Sequence, residues 1–333
     1  MTTAPTRAPQ VEDESAVEVG LATNRREVGD KVFKGLSLGS GIMIFVILGL
    51  VALFLILQAL PAFTAEPGSL PYGNGHFWPY VAPFVFGTLW SSALALLIAV
   101  PVSIGIALFI SHYAPRKLAA GLGYTIDLLA AVPSVVFGLW GINTLAPAIT
   151  PLYGWLTANL GWIPLFAGPA SGTGRTMLTA AVVLAVMILP IITSLSREVF
   201  LQTPPLQEQA SLALGATRWE MIRQVVFPFG RSGIVSASML GLGRALGETM
   251  AVAMVLSGGA AITFKLLTSE NPNTIAANIA LAFPEAYGVG VNQLIATGLI
   301  LFAITLGVNM LARYIVSLQQ AKVEESKGKK KRA

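Results

Sequence analysis

An arginine and a glutamate stand four residues apart in GLGRALGETMAV, the stretch from Gly241 to Val252. On a continuous helix, residues at this spacing share a face and can form an ion pair. The chemistry open to them is electrostatic. A guanidinium stays protonated and presents a planar fork of donors that fits two oxygens of a carboxylate or phosphate. A carboxylate one turn away can orient that fork, and can repel an anion that rests too tightly. Two readings stay open at this level: a pair kept for structure, or a cation that meets an anion in passage.

The rest of the chain supplies the surroundings. Of its 333 residues, 54% are hydrophobic and 11% are charged, with a mean hydropathy of +0.71. Soluble domains carry about 25% charged residues, so this chain cannot cover a water-facing surface. It reads as an all-α integral membrane protein. A span takes about 20 apolar residues. Six are expected, near residues 36–60, 80–112, 118–149, 176–196, 232–257 and 291–315. Pro101 and Pro133 interrupt the second and third, where kinks or re-entrant ends are expected. No short signal-peptide pattern precedes the first run, which is expected to stay in the bilayer.

Counted from Ser232, Arg244 is about the thirteenth residue of the fifth span, close to mid-membrane at 1.5 Å per residue. A central arginine costs about 2.5–3.5 kcal/mol. Arg244 is therefore expected to face protein or a water-filled path, with Glu248 lowering its cost by pairing. Gly241, Gly243 and Gly247 lie on either side and read as close-packing positions. Asp127, about the tenth residue of the third span, either lines the same path or hydrogen-bonds the kink near Pro133.

Basic residues collect in cytoplasmic segments. Arg7, Arg25, Arg26, Lys31 and Lys34 precede the first span; Arg116 and Lys117 follow the second. Arg197, Arg218, Arg223 and Arg231 lie between the fourth and fifth, and a further basic run follows the sixth, whereas the other connections offer only Arg175 and Lys265. Both termini are thus expected in the cytoplasm. The organisation is a polar, unstructured tail over 1–35, a first helix and external loop over 36–79, a permease-like core over 80–317, and a basic tail over 318–333. The tail motif ESKGKKKRA either binds anionic lipid or sets topology. The net charge of +5 follows from this asymmetry, and no nucleic-acid partner is implied. Trp78, Tyr80, Trp155 and Trp162 in the external loops suit a membrane interface.

Other chemistries find little support. Cysteine is absent, which removes disulfides, thiolate metal sites and thiol nucleophiles. His76 and His112 are far apart and read as polar residues at the ends of apolar runs. GPASGTGRT, residues 168–176, approaches a phosphate-binding loop, but its spacing is one residue too long and arginine replaces lysine. No nucleotide hydrolysis by this chain is expected.

The connection between the fourth and fifth spans is REVFLQTPPLQEQASLALGATRWEMIRQVVFPFGRSG. Thr203 and Pro204 read as a helix start and Gly215 as its stop. Thr217 and Glu220 have the spacing of a capping box. A second helix is expected to run to Pro228. Two short helices with a tight bend would suit docking into a partner's groove.

This connection resembles the coupling loop of ABC importer permeases. Gln209, Ala210, Gly215 and Pro228 keep the spacing, but Gln209 stands where the family usually has glutamate. Glu208 sits one place early, about 100° around the helix. With LLAAVPSVVFGLWG (residues 128–141) and GRALGETMAV (residues 243–252), the chain is similar to the phosphate permease family PstC. That resemblance implies a type I importer permease (MetI-like) fold in a bacterial cytoplasmic membrane. It further implies a PstA-like permease partner, a PstB-like ATPase dimer holding ATP and Mg, and a PstS-like phosphate-binding protein. The chain itself would be no enzyme and would carry no cofactor. Arg244, Glu248 and Asp127 would line the pathway; Glu208, Gln209, Ala210, Gly215 and Pro228 would serve ATPase coupling. Permeation of another oxyanion, such as sulfate or molybdate, is the alternative. A stand-alone secondary transporter would show internal repeats, and none is found; a structural scaffold would leave Arg244 unexplained.

Overall fold

A computed structural model describes residues 14–66 and 68–330, with side chains described for 29–66 and 68–314. Twelve α-helices follow in order: α1 Glu14–Thr64, α2 Phe77–Leu108, α3 Arg116–Ala130, α4 Ser134–Trp140, α5 Ala146–Leu160 and α6 Met177–Leu201. Then come α7 Pro205–Ala213, α8 Arg218–Met221, α9 Phe227–Leu246, α10 Met250–Val255, α11 Ile275–Ala282 and α12 Val289–Lys330. Single π-helical turns at Phe109–Tyr113, Gly141–Leu145 and Ile222–Val226 close α2, join α4 to α5 and join α8 to α9. Six stretches are long and apolar enough to cross a membrane: Gly29–Thr64, Phe77–Tyr113, Ser134–Leu160, Met177–Leu201, Arg218–Leu246 and Val289–Tyr314.

The chain divides into two units, residues 1–57 and 58–333. In the first, the apolar side chains of α1 are exposed, Phe45 by 80%, the surface a helix in lipid presents. Its helix runs back to Glu14, where composition suggested an unstructured tail over 1–35; residues 1–13 lie outside those described. Once the apolar run is helical, each further residue adds a backbone bond without a new nucleation cost. At the other end α12 likewise continues to Lys330, through most of the basic tail.

In the second unit, α6 is the axis. Ala180, Ala181, Leu184, Ala185, Ile188 and Ile192 are buried along it, packed with Ala95 and Ala99 of α2 and Ala237 and Ala245 of α9. Small residues at these contacts bring the helices close, the packing that membrane helices favour. The third span differs from expectation. Helix α3 stops at Ala130, two turn bonds return Ala131 and Val132 to Leu128 and Leu129, and α4 starts after Pro133. Proline lacks the amide to continue a helix, and it forces Val132 away from helical geometry. The spanning stretch is therefore Ser134–Leu160, and α3 is a separate helix packed on α6.

The loops before α6 and after α10 are knitted together. Leu266 donates to the Leu165 carbonyl, Ser171 to Leu267 and Leu178 to Leu266. The phosphate-loop look-alike is part of this seam: its Ser171 amide is used by Leu267, and its Thr176 caps α6. Trp78, Trp155 and Trp162 are exposed, as interfacial anchors would be, whereas the Tyr80 hydroxyl accepts from Asn278.

Candidate functional site

The segment carrying Arg244 and Glu248 is not one helix. Helix α9 ends at Leu246, Gly247 takes φ −92° and ψ 1°, and α10 starts at Met250. Arg244 thus lies in the last turn of α9. Glu248 is buried, and its Oε1 accepts the Ala251 amide at 3.1 Å, inside the first turn of α10. The expected ion pair does not form: no contact within 4.0 Å joins Arg244 to Glu248. The spacing rule needs an unbroken helix, and the turn at Gly247 swings the carboxylate away. Each charge sits at a helix end instead. Arg244 lies in the last turn of α9, toward the negative end of its dipole, and the N-terminus of α10 presents the Ala251 amide to Glu248.

Magnitudes show what this leaves over. A cation at a partly buried helix C-terminus gains up to about 2 kcal/mol, against about 2.5–3.5 kcal/mol for a central arginine. The guanidinium makes no side-chain hydrogen bond, and its Nε is buried without a partner. It is left with unmet donors. Its depth follows from its neighbours: a Cβ on Gly241 would meet Ile192 at 2.7 Å, and Ile188 lies beside it. Those isoleucines flank the midpoint of α6, and Arg244 is about one turn beyond Gly241 toward the C-terminal end of α9. The three flanking glycines differ. Gly241 is a packing position, but a Cβ on Gly243 would meet nothing within 4 Å, and Gly247 forms the break.

Two distant sequence stretches meet at this break. Gly138 of α4 lies against Ala251 and Met254 of α10, where an added Cβ would come 2.9 Å from the Ala251 Cα. Gly141 meets Val183 and Val255. Arg175 Nη2 donates to the Leu256 carbonyl at 2.8 Å, holding the far end of α10.

Asp127 is on α3, outside the spanning stretch, and is not at the Pro133 kink. Its Oδ1 accepts from Ser194 Oγ of α6 at 2.8 Å, and the residue is exposed. Beside it the Arg197 guanidinium lies over Gly123, too close to leave room for a Cβ. Ser194 was missed in the sequence; the only signal was a hydroxyl in an apolar run.

The hairpin between α6 and α9 forms as its local signals require, with two shifts. Helix α7 starts at Pro205, not Pro204, and Thr203 is buried without capping it. Gly215 takes φ +89°, the left-handed stop that glycine tolerates. The Thr217–Glu220 capping box is complete: Thr217 donates its amide to Glu220 at 2.8 Å and accepts the Glu220 amide at 3.3 Å. The second helix does not end at Pro228. The π turn Ile222–Val226 inserts an extra residue, and Pro228 falls in the first turn of α9, where no amide is needed. Met221, Ile222 and Val226 are buried against Ala107, Leu108 and Phe200. Leu206, Leu214 and Trp219 are exposed, with Gln209, Ala210, Gly215 and Pro228 also on the surface. Glu208 turns inward: its Oε1 is 3.4 Å from His112 Nε2 at the end of α2. His112 was read from sequence only as a polar boundary.

Comparison with known proteins agrees with this architecture. The family model for the binding-protein-dependent transport system inner membrane component matches residues 99–323. Phosphate transport system permease protein PstC 2 of Mycobacterium tuberculosis is 45% identical over 312 residues, spanning 90% of this chain and 94% of the relative. PstC of Mesorhizobium japonicum is 40% identical over 313 residues, with 89% and 92% covered. A chain in the crystal structure of the bacterial alginate ABC transporter, in complex with alginate pentasaccharide-bound periplasmic protein, has the same fold at a TM-score of 0.58. It is 16% identical, with 87% of this chain and 96% of that one covered. The six spans make this chain the multi-pass, non-enzymatic permease component of an importer in the bacterial cytoplasmic membrane. Matched over most of its length, the chain belongs to the family of binding-protein-dependent transport system inner membrane components.

Proposed function

We propose that the chain forms half of the translocation path of an ATP-driven importer of inorganic phosphate. The observation that carries this reading is Arg244: a guanidinium near the middle of the bundle, unpaired with Glu248, with open space at Gly243 beside it. An arriving phosphate would satisfy the fork of donors that α9 leaves unmet. Glu248 fixes the helix break and so keeps Arg244 at a helix terminus; the carboxylate does not need to be displaced before the anion binds. Asp127 and Ser194 would line the inner part of the path, where an acid discourages the anion from lingering.

A PstA-like permease would complete the path, and a PstS-like binding protein would deliver phosphate from outside. Both termini would lie in the cytoplasm. There a PstB-like ATPase dimer, holding ATP and Mg, would dock on the exposed face formed by Leu206, Leu214 and Trp219. Motion of that hairpin would rock α6 and α9 between outward and inward openings.

The test is uptake of labelled phosphate by the reconstituted complex, with sulfate and molybdate as competitors. Arg244→Gln is expected to abolish uptake while the complex still assembles, and Arg244→Lys to impair it severely, because a point charge replaces the fork. Wild-type uptake by Arg244→Gln would refute the site. Uptake of sulfate in preference to phosphate would assign the path to the other oxyanion.

A further inference from the structure

The acid of the coupling hairpin sits one place earlier than the family spacing has it, and the structure shows where it goes. Gln209 is exposed, whereas Glu208 turns about 100° toward the membrane body. Its Oε1 lies 3.4 Å from Nε2 of His112, in the π turn that closes α2. The other ring nitrogen, Nδ1, is 2.7 Å from Ser111 Oγ, and the Phe200 ring stands edge-on to the imidazole. The Ser111 hydroxyl also donates to the Ala107 carbonyl at 2.8 Å, and a hydrogen on Nε2 would donate to the Glu208 carboxylate.

Within its hairpin, helix α7 packs on α8 and the following π turn. None of its residues is buried, and the bond to His112 is the only side-chain hydrogen bond it makes among the described residues. The apolar seat of the hairpin is under α8 and the following π turn, not under α7. The Glu208–His112 contact is a direct side-chain tie from α7 to the spanning stretch Phe77–Tyr113.

We propose that His112 is a positioning residue that pins the coupling hairpin to α2 through Glu208, so that movement of α7 is delivered to the α2–α6 packing. This rests on reading the hairpin as the ATPase-coupling element. It assigns Glu208 a partner within its own chain and leaves the exposed face to meet the ATPase.

The full complex reconstituted in liposomes tests this, by phosphate taken up per ATP hydrolysed. His112→Ala and Glu208→Ala are each expected to lower that ratio about tenfold, the scale of one charge-assisted hydrogen bond, and the double variant to fall no further. His112→Gln, which keeps a donor near Nε2, is expected to restore most of it. Glu208→Ala combined with Gln209→Glu is expected to stay uncoupled. Recovery in that variant would mean that the acid serves the ATPase, and would overturn the proposal. So would a wild-type ratio in either single alanine variant, or His112→Gln performing no better than His112→Ala. If Gly215→Trp also leaves coupling unchanged, the hairpin reading itself fails, whatever His112 does.

Discussion

The coupling hairpin and the α9–α10 break are both places where helices stop, but they stop for different reasons. The hairpin is governed by neighbours in sequence. Gly215 supplies the left-handed stop and Thr217 with Glu220 caps the next helix, each device closing within three residues. The break at Gly247 has one local device, Glu248 accepting the Ala251 amide, and no left-handed stop. Leu246 and Met250 continue the apolar pattern across it, and one glycine costs a helix only about 1 kcal/mol. Besides the Glu248 contact, distant chain seats the break: Gly138 and Gly141 pack against α10, and Arg175 holds its far end. An exposed hairpin keeps its shape by local devices, whereas a break inside the bundle is shaped also by the helices around it.

That contrast can be broken by substitution. The strongest effect is expected from Gly138→Leu. Its side chain would drive into the Ala251 backbone, where overpacking costs about 1–3 kcal/mol. Displaced α10 would take the Arg244 environment with it, so uptake should be lost while the ATPase still co-purifies. Gly215→Trp comes next. Open space surrounds Gly215, so the damage is conformational, about 1–2 kcal/mol for a side chain held at positive φ. ATP hydrolysis should persist with little phosphate moved, measured as transport per ATP. The mildest is Thr217→Ala, which removes one cap at about 1 kcal/mol. It should lower the melting temperature of the assembled complex slightly and leave uptake near normal. A strong effect from Thr217→Ala with a weak one from Gly138→Leu would reverse the assignment of local and distant control.

Much of this was legible in the sequence. Six apolar runs gave the spans, and glycine, threonine and glutamate at fixed offsets gave the hairpin. The π turns were not legible, because inserting one residue between Ile222 and Val226 leaves no mark in composition; Pro228 follows that turn inside a continuing helix. Pro133 was seen as a kink, but nothing local showed that α3 would leave the span and place Asp127 beside Ser194. The residues proposed for the central site were chosen by type and depth. Their pairing was misread, since four-residue spacing reports a shared face only where the helix is unbroken.

The decisive measurement compares Glu248→Gln with Arg244→Gln in phosphate uptake by the reconstituted complex. Glutamine at 248 can still accept the Ala251 amide, so α10 keeps its cap. If the helix ends hold the two charges separately, Glu248→Gln retains most uptake and Arg244→Gln retains none. Equal loss in both variants would mean that the arginine works only as half of an ion pair, contrary to the arrangement described for α9 and α10.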